Sequence, residues 1–316
     1  MRNRIRMCAA TMAVSLVACA FATPPDLGTN ASLHAKQVLP RDDPWNLDIS
    51  SEPVDPASAA IIAKIGAQRP LHADFGTVYN GVPNGIPYVV VSGETKKQPV
   101  SFVEYRNESD NGPYPIPSDA PVEGGAASDG DRHVLVIDRD NWMLYELWHA
   151  KPLEGGKRWE AGSGAIFDLN NGTTRAAGWT SADAAGLPIF PGLVRYDEVI
   201  GQREITHALR FTVQRTRRAY IAPARHFASN SDDPALPPMG MRIRLKAGFD
   251  LSRFSPPARV ILQGLKRYGM ILADNGSDWF ISGAPDPRWN DDQLAQLSRV
   301  NGSDLEVVRM GEMVRR

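Results

Sequence analysis

Apolar positions along the chain follow two periods. Ala59, Ile61, Ile62 and Ile65 recur at helical spacing, behind Asp55-Pro56-Ala57-Ser58, which offers a cap and a first-turn proline. Gly66 then closes the helix. From Pro87 onward the period shortens to two. PYVVV, PVSFVEY, HVLVID, WMLYELW, GAIFDL, ITHALRFTV, RAYIA, MRIRLKA and GMILA are short runs rich in β-branched and aromatic residues, divided by Gly, Pro, Asn and Asp. Two more helices punctuate them. Ser255-Pro256-Pro257 opens one that Gly269 stops, and Asn290 caps another, with Asp291 and Asp292 in its first turn, where the helix dipole favours anions. This pattern predicts a mostly β fold: an antiparallel, jelly-roll-like β-sandwich with long loops and a few short peripheral helices.

The ends divide the chain further. Arg2, Arg4 and Arg6 precede an apolar run, Met7 to Ala18, that is too short to span a bilayer. Residues 1–22 therefore read as a signal peptide. Leu16-Val17-Ala18-Cys19 matches a lipobox with Cys19 as the lipidated residue, whereas Ala20-Phe21-Ala22 suits ordinary signal cleavage. Residues 23–42 are polar and proline-spotted, and predict a flexible tether. The remainder, 43–316, is expected to be one β-rich domain, entered by Trp45 packing against it.

Composition narrows the function. The 35 Lys and Arg residues balance 36 Asp and Glu, and no basic run grips a phosphate backbone, so nucleic acid is not an expected partner. Both cysteines, Cys8 and Cys19, fall in the leader, leaving no disulfide for the mature chain. The histidines are scattered without metal-ligand spacing, and no glycine-rich nucleotide motif occurs, so neither metal nor cofactor is expected. Membrane contact is expected only through the lipid anchor.

Candidate chemistry begins in GDRHVLVIDRDNWMLYELWHA, which reads as a β-hairpin. One face carries His133 and Glu146 among Leu135, Ile137, Trp142 and Leu144. A two-residue or a four-residue loop puts His133 opposite Glu146, and Leu135 opposite Leu144, close enough for an imidazole–carboxylate hydrogen bond. Such a pair either closes the sheet as a buried polar contact or lines a cleft beside the long 106–130 connection.

Other polar clusters add partners. GWTSADAAGLP offers Trp179 as a stacking surface for a sugar ring, and Ser181 with Asp183 as a helix cap or as site residues. ITHALRFTV places His207 on an apolar strand face, where a core role is the ordinary one. PARHF puts Arg225 beside His226 in a polar loop, where the guanidinium suits a uronate carboxylate. ADNGSDW reads as a hairpin turn between GMILA and WFISG, with Asp274, Asp278 and Trp279 making an acidic and aromatic edge.

Taken together, GPYPIP, GDRHVLVID, GWTSADAAGLP, PGLVRYDEV, HALRFTV, PPMG and ADNGSDWFISG resemble a family of uncharacterised exported bacterial proteins. The resemblance covers Asp43 to Val308. It implies export and a single β-rich unit, and it brings no catalytic residues. The functional expectation therefore rests on the residues. It is an exported glycan-active enzyme, a polysaccharide hydrolase or lyase acting on polysaccharide or cell-surface glycan. Its catalytic groups are drawn from His133, Glu146, Asp183 and Asp274, with Asp131 as a further acid and Tyr145 as a further proton carrier. Trp179, Arg225, His226 and Trp279 are the expected substrate contacts. The alternative is a non-catalytic glycan-binding or surface interaction protein that uses the same loops.

Overall fold

The computed structural model describes residues 23–172 and 174–315. The expected leader and its Cys19 lie outside these residues. The fold is mixed α/β, built from several small sheets and a few short helices. A five-stranded sheet is ordered Gly28–Thr29, Tyr88–Val91, Val134–Asp138, Met143–Trp148 and Ser163–Asp168. Strict alternation splits its side chains between two cores. Tyr88, Val90, Leu135, Ile137, Leu144 and Phe167 face the larger core. Val89, Val91, Val134, Val136, Tyr145 and Leu147 face a smaller one, shared with Phe102, Tyr114 and Trp159. A three-stranded sheet, Val100–Phe102, Arg158–Ala161 and Lys151–Leu153, covers that second face.

Across the larger core stands a six-stranded sheet. Its order is Leu305–Val307, Arg242–Leu245, Met270–Asn275, Leu209–Val213, Phe280–Ser282 and His72–Asp74. Strands such as Met270–Asn275 are buried on both faces, which explains why MILA runs apolar without alternation. Helix Pro256–Arg267 buries Ile261, Leu262 and Leu265 in this core, and helix Ser58–Ile65 adds Ile61, Ile62 and Ile65. The expected capping of the last helix is present: the Asn290 side chain accepts from the Gln293 amide at 3.0 Å.

Five expectations need correction. The sheets are mixed and do not form an antiparallel jelly roll: Tyr88–Val91 with Val134–Asp138, Trp159–Ala161 with Val100–Phe102, Leu209–Val213 with Met270–Asn275, and Phe280–Ser282 with His72–Asp74 are parallel pairs. Residues 23–42 are no loose tether. Gly28 and Thr29 pair with Val90 and Val89, and Leu33, Val38 and Leu39 are buried in the larger core. Three apolar side chains in a polar stretch are few, yet each one buried stabilises by about 1.5–3 kcal/mol.

The hairpin exists in a different register. Leu135 pairs with Glu146 and Ile137 with Leu144, so each partner is displaced by two residues and His133 is not opposite Glu146. The cause is the turn. The Asp138 carboxylate accepts from the amides of Asp140 and Asn141 at 3.1 and 3.0 Å, and Trp142 stays in the loop with φ of 53°. Its indole N–H reaches the Val38 carbonyl at 3.0 Å. Because the displacement is even, every side chain keeps its expected face.

Asn275-Gly276 does not make a hairpin either. The strand Leu209–Val213 lies between Met270–Asn275 and Phe280–Ser282 and pairs with both. Trp279, expected at a substrate edge, is fully buried, stacks on Phe211 and donates to the Gly66 carbonyl at 2.9 Å.

Candidate functional site

One loop, 178–190, crosses between the two large sheets, and both polar residues of the hairpin face are spent on it. The Glu146 carboxylate accepts from the Ile189 and Phe190 amides at 3.0 and 2.9 Å. The His133 ring contacts the Ala182 carbonyl through Nε2 at 3.1 Å and the Glu123 carboxylate through Nδ1 at 2.6 Å. Two acceptors on one ring require both nitrogens to donate, so the ring is an imidazolium. Burial alone would lower its pKa, but the charge and hydrogen bond of Glu123 outweigh it, and the pKa is pushed up to about 9. Burial pushes Glu146 up to about 7, against its two amide donors. Both side chains are essentially inaccessible. The expected catalytic roles of His133 and Glu146 are therefore replaced by a structural one: they fasten the loop.

The loop's other contacts fix its middle. Ser181, buried and without a following helix, accepts from the Asp183 amide at 2.9 Å and donates to the Leu187 carbonyl at 2.5 Å, so it is neither helix cap nor free nucleophile. Gly186 takes φ of 69°, where a Cβ would collide with the Trp179 carbonyl. Thr180 N–H donates to Glu108 Oε2 at 2.9 Å, tying in the 106–130 connection. On the far side the Ala185 amide donates to the Ala273 carbonyl at 2.9 Å. These bonds set Asp183 beside Asp274.

Arg210 completes that pair. It rises from the Leu209–Val213 strand and donates from Nε and Nη2 to the two Asp183 oxygens at 2.7 and 2.8 Å. Nη1 donates to Ser282 Oγ at 2.5 Å. Its distance to Asp274 is 3.6 Å, too long for a hydrogen bond. Burial, followed by the Asp183 charge, holds Asp274 well above the usual carboxylate range, with Arg210 opposing. Of the two carboxyls, Asp274 is the one whose surroundings favour the protonated form. Asp183 is fully enclosed, whereas 23% of the Asp274 side chain remains exposed.

Asp274 opens into a cavity of about 220 Å³. Asp131, His226, Tyr105 and Trp148 also line it, together with the buried turn 180–184. His226 Nδ1 faces the Ala184 carbonyl at 2.8 Å, which assigns the proton to Nδ1 and leaves Nε2 as an acceptor when the ring is neutral. Asp131 Oδ1 accepts from the Trp148 indole at 3.1 Å. Of the expected site residues, Asp183, Asp274 and His226 meet here. Arg225 does not line the cavity, and its Nε donates to the Arg175 carbonyl at 2.9 Å. Trp179 also lies outside it, half-buried with the Arg175 guanidinium 5.6 Å from its ring. His207 is buried, as its apolar strand face implied, with Nε2 on Glu198 at 3.1 Å.

Arg210, Tyr105 and Trp148 were missed in the sequence. Arg210 left one trace, a charge inside the otherwise apolar LRFTV. Among the described residues, no group of three His, Cys, Asp or Glu side chains is placed to hold a metal ion, and no helix is long and apolar enough to cross a membrane. In comparisons with known proteins, the chain matches no family model, no curated protein and no solved structure.

Proposed function

We propose that the protein is an exported glycan-active hydrolase whose working site is the cavity shared by Asp131, Asp274 and His226. One observation carries the reading: Asp274, whose affinity for a proton is raised by burial and by the Asp183 charge, is partly open to a cavity that holds a second carboxyl, Asp131. Glycosidic hydrolysis needs such an unequal pair, one acid to protonate the leaving oxygen and one carboxylate to act on the anomeric carbon or its attacking water. Asp274 takes the first role and Asp131 the second. Asp183 is a positioning residue whose charge favours the proton on Asp274, and Arg210 holds Asp183 in place. A volume of about 220 Å³ is below the roughly 300–1,000 Å³ of pockets for drug-sized ligands, so it suits a single sugar ring of a longer chain. Tyr105 and Trp148 supply aromatic surface at its wall.

The test is reducing-end release from a panel of polysaccharides. Asp274→Asn should lower it about 10²–10⁴-fold, the usual worth of a general acid, while the fold is retained. Full activity in that variant overturns the proposal.

A non-catalytic glycan-binding role is the second reading. It is favoured by the aromatic cluster beside the cavity, where Trp148 stacks on His149 at 4.5 Å and Tyr105 is 42% exposed. That reading predicts glycan affinity without release of reducing ends, kept in Asp274→Asn and lost in Trp148→Ala. The basic and apolar leader supports export. Release of a Cys19→Ala variant from the membrane fraction would mark a lipid anchor, and unchanged fractionation would mark ordinary cleavage.

A further inference from the structure

We infer that the protein holds a second ligand site, for a small carboxylate with an apolar body. It is a cavity of about 880 Å³ that shares no lining residue with the one around Asp131 and Asp274. The inference goes beyond the glycan reading and stands without it. The volume falls within the roughly 300–1,000 Å³ of pockets that enclose small organic ligands. Pro83, Pro87, Pro121, Pro152 and Pro285 wall it, with Val122 from the 106–130 connection. A proline ring is apolar and rigid, and its nitrogen carries no hydrogen. Such walls are fixed before a ligand arrives and ask it for no acceptor.

Three residues with donors, Arg132, Lys151 and Trp159, interrupt the apolar lining and converge on one short segment. Arg132 Nε donates to the Ala150 carbonyl at 3.0 Å, Lys151 follows, and Trp159 stands directly opposite Pro152 on the paired strand. Trp159 is 1% exposed, and its indole N–H has no acceptor in the protein. A buried donor left unmet is costly, and a ligand oxygen supplies what it lacks. Arg132 takes φ of 52°, and its Nη1 donates to the Ala126 and Ser128 carbonyls at 3.1 and 2.7 Å. Those bonds anchor the connection without pairing the guanidinium charge. Among the described residues, no carboxylate lies within ion-pair distance of Arg132 or Lys151. Asp119, which is exposed, is the one acid in the lining, set against these two cations. A carboxylate pairs with the cations and accepts from the indole, while the prolines take its apolar body.

Calorimetric titration of the mature protein at pH 7 tests this with octanoate, kept below its micelle-forming concentration, against octan-1-ol, octylamine and acetate. Octanoate should bind at least about tenfold more tightly than octan-1-ol, the margin of one charge-assisted hydrogen bond. Octylamine, with the wrong charge, and acetate, with no apolar body, should not bind. Lys151→Gln, at an exposed position, should weaken octanoate about fivefold, the worth of one exposed ion pair, and leave octan-1-ol unchanged. The Trp159 indole N–H resonance, assigned by triple-resonance NMR, should move downfield as octanoate gives it an acceptor. Octan-1-ol or octylamine binding as tightly as octanoate overturns the inference, as does a Lys151→Gln protein that binds octanoate like the wild type. Octanoate binding that leaves the Trp159 resonance in place also overturns it, because the ligand then sits elsewhere. Absence of octanoate binding contradicts it outright, and none of these results bears on the glycan reading.

Discussion

Asp183 and Asp274 stand beside one arginine: Arg210 closes on Asp183 through two hydrogen bonds of 2.7 and 2.8 Å and stands 3.6 Å from Asp274. Asp183 is thereby committed to structure, while Asp274, held above the usual carboxylate range by burial and the Asp183 charge, faces the cavity. The assembly depends on all three members, since Arg210 is the only guanidinium bonded to either carboxyl among the described residues.

Arg210→Met should therefore be among the more damaging substitutions in the molecule. It leaves Asp183 without its cation in a fully buried position, and breaking a buried pair costs about 3–5 kcal/mol. Denaturant unfolding measures this. A loss below about 1 kcal/mol, the scale of an exposed ion pair, would show that Asp183 is not held as described.

Stability should fall as the pH rises from 6.5 toward 9. The pKa of His133 is raised in the folded protein to about 9 from an ordinary 6.5, so its contribution is complete below 6.5 and disappears as the ring loses its proton. The full effect is at most about 3 kcal/mol, and partial exposure of Glu123 reduces it. Glu146, raised to about 7, acts in the same direction over a lower window, because its buried acid form is favoured below that value. Melting temperatures recorded from pH 5 to 9 should decline, and Glu123→Gln should flatten the upper part of the curve. A wild-type profile that rises between pH 7 and 9 would contradict the imidazolium assignment.

Deleting residues 23–42 should destabilise the protein. The deletion removes Leu33, Val38 and Leu39 from the core, takes away the Gly28–Thr29 edge of the five-stranded sheet, and strips the carbonyl that holds the Trp142 indole. Calorimetry of the truncated chain should show a melting temperature lower by several degrees, since about 1 kcal/mol shifts it by roughly 2–4 °C at this size. An unchanged transition would restore the tether.

What the sequence disclosed, and what it hid, follows from range. Local signals held: Asn290 caps its helix, Trp45 is buried behind Asp43, and the two faces of the 134–148 hairpin carry the side chains that their alternation assigned. Partners set over long distances did not. His133 and Glu146 were rightly seen as polar residues that needed explaining on an apolar face, but both bind a loop that begins more than forty residues away in one case and meets backbone amides in the other. Backbone partners leave no mark in side-chain identity. The Asn275-Gly276 turn misled because its two strands accept a third between them, which no turn residue reports. Asp274 and Asp183 were named separately, but their meeting depends on the loop crossing that His133 and Glu146 secure.

The most direct test of the account is the protonation state of Asp274, read by carbon-13 NMR of aspartate-labelled protein titrated from pH 4 to 9. One buried carboxyl resonance should remain in the protonated position at pH 7 and vanish in Asp274→Asn. A spectrum with every aspartate carboxylate ionised at pH 7 would contradict the account, because the cavity would then hold no acid to give.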